Sequence, residues 1–479
     1  MNILYVVKTF SVVEPMGILQ LSAITKSLGA KSFVASIDQD NIIKKIKVLE
    51  INLVALSIMS TESKAFRELS ENIRKELPHI KIIVGGPHPT YFPQIVDTWP
   101  IDAVVVGEGD LPIVDIINAL TEGESLSDIP NVHTESKKNA VRNFIEDLDE
   151  LPFSDRNLLK DVYPFKHVRM KTFFATRGCP YVCGYCFNSA YNDLYRDKGR
   201  ILRRRSPESL IREIEKVKAE SEIDFIRFGD DVFIAKDDQW LDEFVDKYSK
   251  RITIPFYFLI NPNFVTEALV NKLKIAGCHS VMMGIEAGNE ALRKDVLKRS
   301  VSNKAMINAF RIFNDFGIKV FSNTMLGLPG TTLKDDLESL NFTLDCRPYY
   351  SGFSVFTPFP GTELYRLCKE KGYLDNQDFL EDEMPTSMQQ SSCLNHVTEK
   401  QKQIHRNILL LAPVANCAPI LRGFIVRHFI YWRTNIIFDF IGFLVRNYQN
   451  MRVWPFKKSI KSFFALAAQV FRIDKKNYC

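Results

Sequence analysis

Apolar runs of strand length recur along the first 120 residues, separated by segments with helical spacing. The runs are Ile3–Val7, Ser32–Ile37, Leu53–Met59, Ile80–Val84 and Ala103–Val106. Between them, Ile18–Leu28 has a helical apolar period and stops at Gly29. Lys64–Glu76 is charged and amphipathic and closes at Pro78, and Leu111–Leu120 is a third helix. This alternation predicts a doubly wound parallel sheet. Ligands of such sheets sit beyond the carboxyl ends of the strands. Gly85-Gly86 and Gly107-Glu108-Gly109 fall there, where glycine permits tight turns and close approach of backbone to a ligand. Turn chemistry alone would also explain each of them singly. The dinucleotide pattern G-x-G-x-x-G does not follow the first strand.

Residues 121–170 break the pattern with a turn-rich stretch and the acidic E-D-L-D-E-L-P-F at 146–153. A second strand–helix series then begins. Its strands are expected at Thr172–Thr176, Asp224–Phe228, Ile254–Ile260, Ser280–Ile285, Ile318–Leu326 and Gly352–Thr357. Ser206 with Pro207 starts one intervening helix, Thr266 to Gly277 bounds another, and Ser302–Phe316 and Thr332–Leu344 follow. Six parallel units predict a partial (β/α)6 barrel, whose chemistry belongs at the carboxyl ends of the strands. The expected domains are 1–135, a connector 136–170, the barrel 171–370, a polar then helical extension 371–417, and a helical tail 418–479.

Charge is uneven. Of 62 Lys/Arg and 57 Asp/Glu, the tail 418–479 holds eleven and two, so the remainder is net negative. That argues against a nucleic-acid-binding body and for a basic tail. The tail also carries fourteen aromatics, with Arg422, Arg427, Arg433 and Arg446 interrupting its apolar runs. This composition suits an amphipathic helix in a membrane interface; packing on the barrel or across a dimer is the alternative. No run of apolar residues is long enough for a transmembrane helix, and Met1–Phe10 has no positive leader. Nine cysteines, none before Cys179, are not a disulfide framework. The expectation is a protein of the reducing cytoplasm, with peripheral contact at the inner face of the membrane as the tail's contribution.

Three of those cysteines crowd into T-R-G-C-P-Y-V-C-G-Y-C-F-N at 176–188. Cys179, Cys183 and Cys186 have the spacing C-x3-C-x2-C. Three thiolates can hold three irons of a [4Fe–4S] cluster and leave the fourth open to a ligand. Structural zinc needs four ligands, usually as two pairs, and His167 has no partner at ligand spacing. The next cysteine, Cys278, lies far downstream.

The motif, with Tyr185 before its last cysteine, resembles the signature of the radical S-adenosylmethionine (SAM) superfamily. V-G-G-P-H-P-T at 84–90 and V-V-G-E-G-D at 105–110, ahead of that motif, resemble the cobalamin-binding domain of class B radical SAM enzymes. L-G-L-P-G at 326–330 and T-P-F-P-G-T at 357–362 match the same family. The resemblance covers residues 1 to about 370. It implies three cofactors: a [4Fe–4S] cluster on Cys179, Cys183 and Cys186, SAM, and cobalamin. It places SAM near Gly229, Asp230 and Asp231 (amine), Glu286 (ribose), Lys298 (carboxylate) and the backbone of Tyr185 (adenine). It places the corrin near Ser57, Ser60, Gly85, Gly86, Gly107, Glu108 and Gly109. The D-x-H-x-x-G motif that ligates cobalt from below is missing, and His88, between two prolines, is read as structural or as a loop contact. Solvated loop charges are the alternative for Asp230, Asp231 and Lys298.

The resemblance implies a methyltransferase acting on an unactivated carbon. The reduced cluster cleaves SAM to a 5′-deoxyadenosyl radical, which takes a hydrogen from the substrate, and methylcobalamin supplies the methyl group. The expected partners are a small-molecule substrate, or a lipid if the tail meets a membrane, and a flavodoxin- or ferredoxin-type reductant. Cyclisation or rearrangement on the same cofactors is the second reading, and no residue separates the two. A methylthiotransferase is disfavoured, because residues 1–178 contain none of the three further cluster cysteines it needs. A non-catalytic corrin-binding module is the reading from another class, and the intact cluster motif opposes it.

Overall fold

The computed structural model describes residues 1–374 and 391–456. The chain divides into two compact units. The first contains residues 1–168 and 191–203, and the second 169–190 and the described residues from 204 onward. Residues 191–203 fall inside the stretch the sequence assigns to the barrel.

In the first unit, strands Asn2–Val7, Lys31–Ser36, Leu53–Ser57, Lys81–Gly85 and Ala103–Val105 run parallel. Their spatial order is second, first, third, fourth, fifth, which is the doubly wound order with one reversal beside the first strand. A two-residue strand, Val132–His133, pairs antiparallel at the far edge. The interiors of the first, third, fourth and fifth strands are buried, as the apolar runs require, and the edge strand Lys31–Ser36 is buried over its last three residues. Helices Met16–Ser27, Ser63–Glu76 and Asp110–Glu122 match the periodic segments. The helix Ile42–Val48, capped by Asn41, went unread because it spans only seven residues.

In the second unit, strands Met170–Phe173, Phe225–Phe228, Phe256–Leu259, Cys278–Glu286, Lys319–Leu326 and Tyr350–Val355 form one parallel sheet in sequence order. A helix follows each, so the (β/α)6 arrangement is present. The first strand starts two residues earlier than Thr172 and ends at Phe173. The helix Gln239–Arg251 was also missed, although Asp238 caps it. Its Phe244 and Tyr248 join Phe228, Phe233, Phe256 and Phe258 in an aromatic core, with Phe228 and Phe233 stacked at 4.4 Å. Each such ring contributes roughly 1.5–3 kcal/mol through burial.

Thr398 and Gln401 form a capping box that starts the helix Glu399–Cys417. This helix packs on the Tyr350–Val355 strand, and the helix Ile436–Val453 packs on it. The tail therefore packs on the barrel unit, at least as far as Phe456. The remainder of the tail, 457–479, and residues 375–390 lie outside the described residues. Among the described residues no helix is long and apolar enough to cross a membrane.

Candidate active site: a cysteine loop in the second unit and glycine loops in the first

The cysteine loop leaves the first barrel strand through Ala175 and Thr176. Asp230, after the second strand, fixes that exit. Its Oδ1 accepts from Ala175 N at 2.8 Å, Thr176 N at 2.5 Å and Thr176 Oγ1 at 2.8 Å. Burial pushes this carboxyl up to about 7 against those hydrogen bonds. Asp230 is 1% exposed, so its carboxylate serves the loop. Asp231 differs: it is exposed, hydrogen-bonds Asn188, and its charge acts on both Cys179 and Cys186. Of the two aspartates, Asp231 therefore faces the thiols. Gly229 has no room for a side chain, since a Cβ would stand 2.7 Å from the Phe174 ring.

Cys183 is buried, and Cys179 and Cys186 are partly buried. Burial pushes the Cys179 thiol up to about 11 and the Cys186 thiol up to about 12, with the neighbouring thiols adding to both. A metal cation bound there would compensate the charge of the thiolates. Among the described residues no three His, Cys, Asp or Glu side chains are grouped to hold a single metal ion. A cubane puts each thiolate on a separate iron, so it asks for a wider set of sulfurs than one zinc does. The donor set fits the cluster.

Arg299 is the residue the sequence reading missed. It lies buried against Cys183, Tyr185 and Glu286, hydrogen-bonds the Cys183 thiol, and donates from Nη2 to Gly284 O at 3.0 Å. Its Nε is buried without a hydrogen-bond partner. Tyr185 hydrogen-bonds Glu286, and burial pushes both of these acids upward. Lys298, favoured by the sequence, has φ +52° and turns outward to Glu363 at 3.8 Å. The signal available was the pair Lys298-Arg299 itself; which of two adjacent cations points inward is set by the backbone. Gly284 makes way for the Glu286 carboxyl, which would overlap a Cβ there. The strand register shifts between Gly284 and Glu286, and Glu286 has φ +67°. Such a break re-aims a side chain at a strand end.

In the first unit, the predicted corrin loops sit at the carboxyl ends of the third, fourth and fifth strands. Gly86, at φ +101°, lies against the Ile58 backbone, which a Cβ would approach to 3.1 Å. Gly107, at φ +80°, occupies space that a Cβ would contest with the Tyr195 ring at 2.8 Å. Thr90 Oγ1 accepts from Gly107 N at 3.1 Å, and Tyr195 OH from Glu108 N at 2.8 Å. The Glu108 carboxylate is forked onto Arg203 at 2.6 and 3.1 Å. Its side chain thus braces the loop, and the missing Cβ atoms of Gly86 and Gly107 make room for Ile58 and Tyr195 of the unit itself. These loops stand at the carboxyl ends of parallel strands, where a sheet of this kind binds its ligand. Ser57 ends the third strand, and Ser60 Oγ is 3.3 Å from His88 Nδ1.

His88 is fully buried, with ring centroids 4.7 Å from Phe92 and 6.1 Å from Trp99. Burial pushes its imidazole down to about 4. A group enclosed this way packs the turn and does not reach a metal outside it. The expected outcome is that His88→Ala leaves the visible spectrum of bound cobalamin unchanged at temperatures well below unfolding. A shift of the bands toward those of a corrin without a lower nitrogen ligand would show that His88 coordinates cobalt.

Comparison with known proteins agrees with both units. The Radical SAM superfamily matches residues 173–343, and the B12 binding domain matches residues 3–117. The chain belongs to the radical SAM enzymes that carry a cobalamin-binding domain. An uncharacterised methyltransferase of Pyrococcus horikoshii is 25% identical, over 74% of this chain and 78% of that protein. The anaerobic magnesium-protoporphyrin IX monomethyl ester cyclase of Rubrivivax gelatinosus is 24% identical, over 82% of this chain and 72% of its own. The solved structure of the cobalamin-dependent S-adenosylmethionine radical enzyme OxsB, with aqua-cobalamin and S-adenosylmethionine bound, has a TM-score of 0.70. It covers 94% of this chain and 71% of that chain at 17% identity, a likeness of fold. This radical SAM chain thus has the fold and both family segments in the order its motifs implied.

Proposed function

We propose that this enzyme transfers a methyl group from SAM, by way of cobalamin, to an unactivated carbon of a small molecule. The observation that carries the reading is the convergence of Cys179, Cys183 and Cys186 with charges of both signs, Asp231 and Arg299, in a chain that also bears a corrin-type unit. Bound there, the cluster supplies the electron that cleaves SAM and the corrin supplies the methyl group. The chain's own residues do the positioning. The three cysteines hold the cluster. Asp231 takes the ammonium of SAM, the Tyr185–Glu286 pair meets its ribose and adenine side, and Arg299 takes its carboxylate in preference to Lys298. The backbone of Gly85, Gly86, Gly107 and Gly109, with Ser57 and Ser60, holds the corrin, and Glu108 and Asp230 act as braces.

Methylation is supported by the relative named as a methyltransferase, and the cyclase relative of similar identity supports cyclisation as the second reading. The reading extends to a flavodoxin- or ferredoxin-type reductant and to peripheral membrane contact through the C-terminal residues. Incubating the anaerobically reconstituted enzyme and SAM labelled at its methyl group with small-molecule and lipid extracts, followed by mass spectrometry, tests it. Methylation predicts a labelled product; an unlabelled product whose formation depends on SAM cleavage supports the cyclisation reading.

A further inference from the structure

The helix Ile436–Val453 has two unlike faces. Phe438, Gly442, Gln449 and Val453 are buried. They share a stripe about 60° wide on a helix of 3.6 residues per turn. Gly442 lies so close to the Glu399–Cys417 helix that a Cβ would stand 2.8 Å from Leu410 O. Ile437, Phe440, Ile441, Leu444, Tyr448 and Met451 form a second stripe, centred about 140° away. All six are exposed, with Ile437 at 62% and Phe440 at 57%. A helix on a protein facing only water carries polar residues on that side.

The charges around this stripe are one-sided. Residues 418–456 contain five Arg and a single acid, Asp439. Asp439 is engaged by Arg406, and Arg422 pairs with Asp345. Arg427 and Arg433 are exposed, and among the described residues no ion pair engages either. Trp432, 54% exposed, stands beside Arg433 at the start of the helix. Aromatics at the headgroup level, an apolar stripe below them and uncompensated cations match an anionic lipid surface. A second copy of the chain would bring the same unpaired arginines together, which like charges oppose.

We propose that this face docks on an anionic lipid bilayer, with the helix lying in the interfacial plane. The proposal deepens the C-terminal part of the functional reading and does not depend on methyl transfer. The far end of the helix sits at the amino ends of the barrel strands: Ser280 Oγ donates to Val453 O at 2.7 Å, and Trp454 packs on Tyr257 at 5.6 Å. The cysteines lie at the opposite, carboxyl end, so docking through this face leaves SAM cleavage unaltered.

Flotation of the full-length reconstituted enzyme with vesicles tests this. It is expected to float with phosphatidylcholine–phosphatidylglycerol vesicles at low salt, and to be released from them at high salt. Binding to pure phosphatidylcholine should be weaker by at least about tenfold. The double variant Phe440→Glu/Leu444→Glu should lose flotation, and Arg427→Glu/Arg433→Glu should weaken it by about thirtyfold or more. Both variants should keep the parent's melting temperature and its yield of 5′-deoxyadenosine. A parent that ignores anionic vesicles at low salt overturns the proposal, as does a Phe440→Glu/Leu444→Glu variant that floats equally well. So does light scattering that shows a parental dimer which this variant splits, since the face is then a protein interface. Because SAM cleavage is read on the same samples, failure of membrane binding is separable from failure of the enzymatic reading.

Discussion

Replacing Cys183 by Ala is expected to leave a folded protein with no [4Fe–4S] cluster and no SAM cleavage above background. Cys183 is the most enclosed of the three cysteines of the loop, and Arg299 hydrogen-bonds its thiol. Its thiolate is one of only three the loop can supply, so its loss leaves two, too few to retain a cubane. The substitution removes a small side chain from a loop, and the aromatic core lies elsewhere. Iron and sulfide content, the broad visible absorbance of the cluster and 5′-deoxyadenosine yield read the result, and circular dichroism checks the fold. Cys417→Ala, at an exposed thiol, should match the parent in all of them. Full cluster content in Cys183→Ala would remove the cysteine assignment.

Replacing Arg293 by Met is expected to destabilise the barrel unit by about 3–5 kcal/mol. Among the described residues Arg293 is the largest fully buried side chain. Its guanidinium donates to Ala287 O at 2.5 Å, Gly288 O at 3.2 Å, Val301 O at 2.9 Å and the Asn303 side chain. The first two carbonyls belong to the G-I-E-A-G segment that carries Glu286, and Val301 and Asn303 lead into the next helix. Methionine fills much of the volume and restores none of these bonds, so four acceptors lose their donors in a dry interior. A melting temperature lower by on the order of 10 °C is the expected reading. The released segment also carries Glu286, the partner of Tyr185 and Arg299, so KM for SAM should rise. An unchanged melting temperature would mean that water or a neighbouring donor replaces the guanidinium.

Much of this architecture was legible because it rests on periodicity. The inner strands of the first unit are buried on both faces, so apolar residues run unbroken there, and Ser206, Thr266 and Ser302 mark helix starts by capping. The cysteine loop was legible for a chemical reason: few functions need three thiols at that spacing. Side-chain direction is what periodicity and motif spacing do not give. Asp230 and Asp231 are adjacent and identical in type, yet one braces the strand exit and the other faces the thiols. Lys298 and Arg299 divide in the same way, and the positive φ of Lys298 that separates them is not written in the side chains. The bracing of Glu108 by Arg203 joins residues 95 apart in sequence, and no local pattern announces such a pair. The tail shows a third case. Its composition leaves membrane contact and packing as alternatives, and the helix buries one face while exposing another apolar one, which a count of aromatics and cations cannot reveal.

The central claim is tested most directly by product stoichiometry. The reconstituted enzyme, supplied with cobalamin, a low-potential reductant and a substrate-containing extract, consumes SAM labelled at its methyl group. Methyl transfer to an unactivated carbon predicts that S-adenosylhomocysteine and 5′-deoxyadenosine accumulate in equal amounts with the labelled product, and that omitting cobalamin abolishes the first and the last. Formation of 5′-deoxyadenosine with a substrate-derived product, no S-adenosylhomocysteine and no transferred label would contradict it.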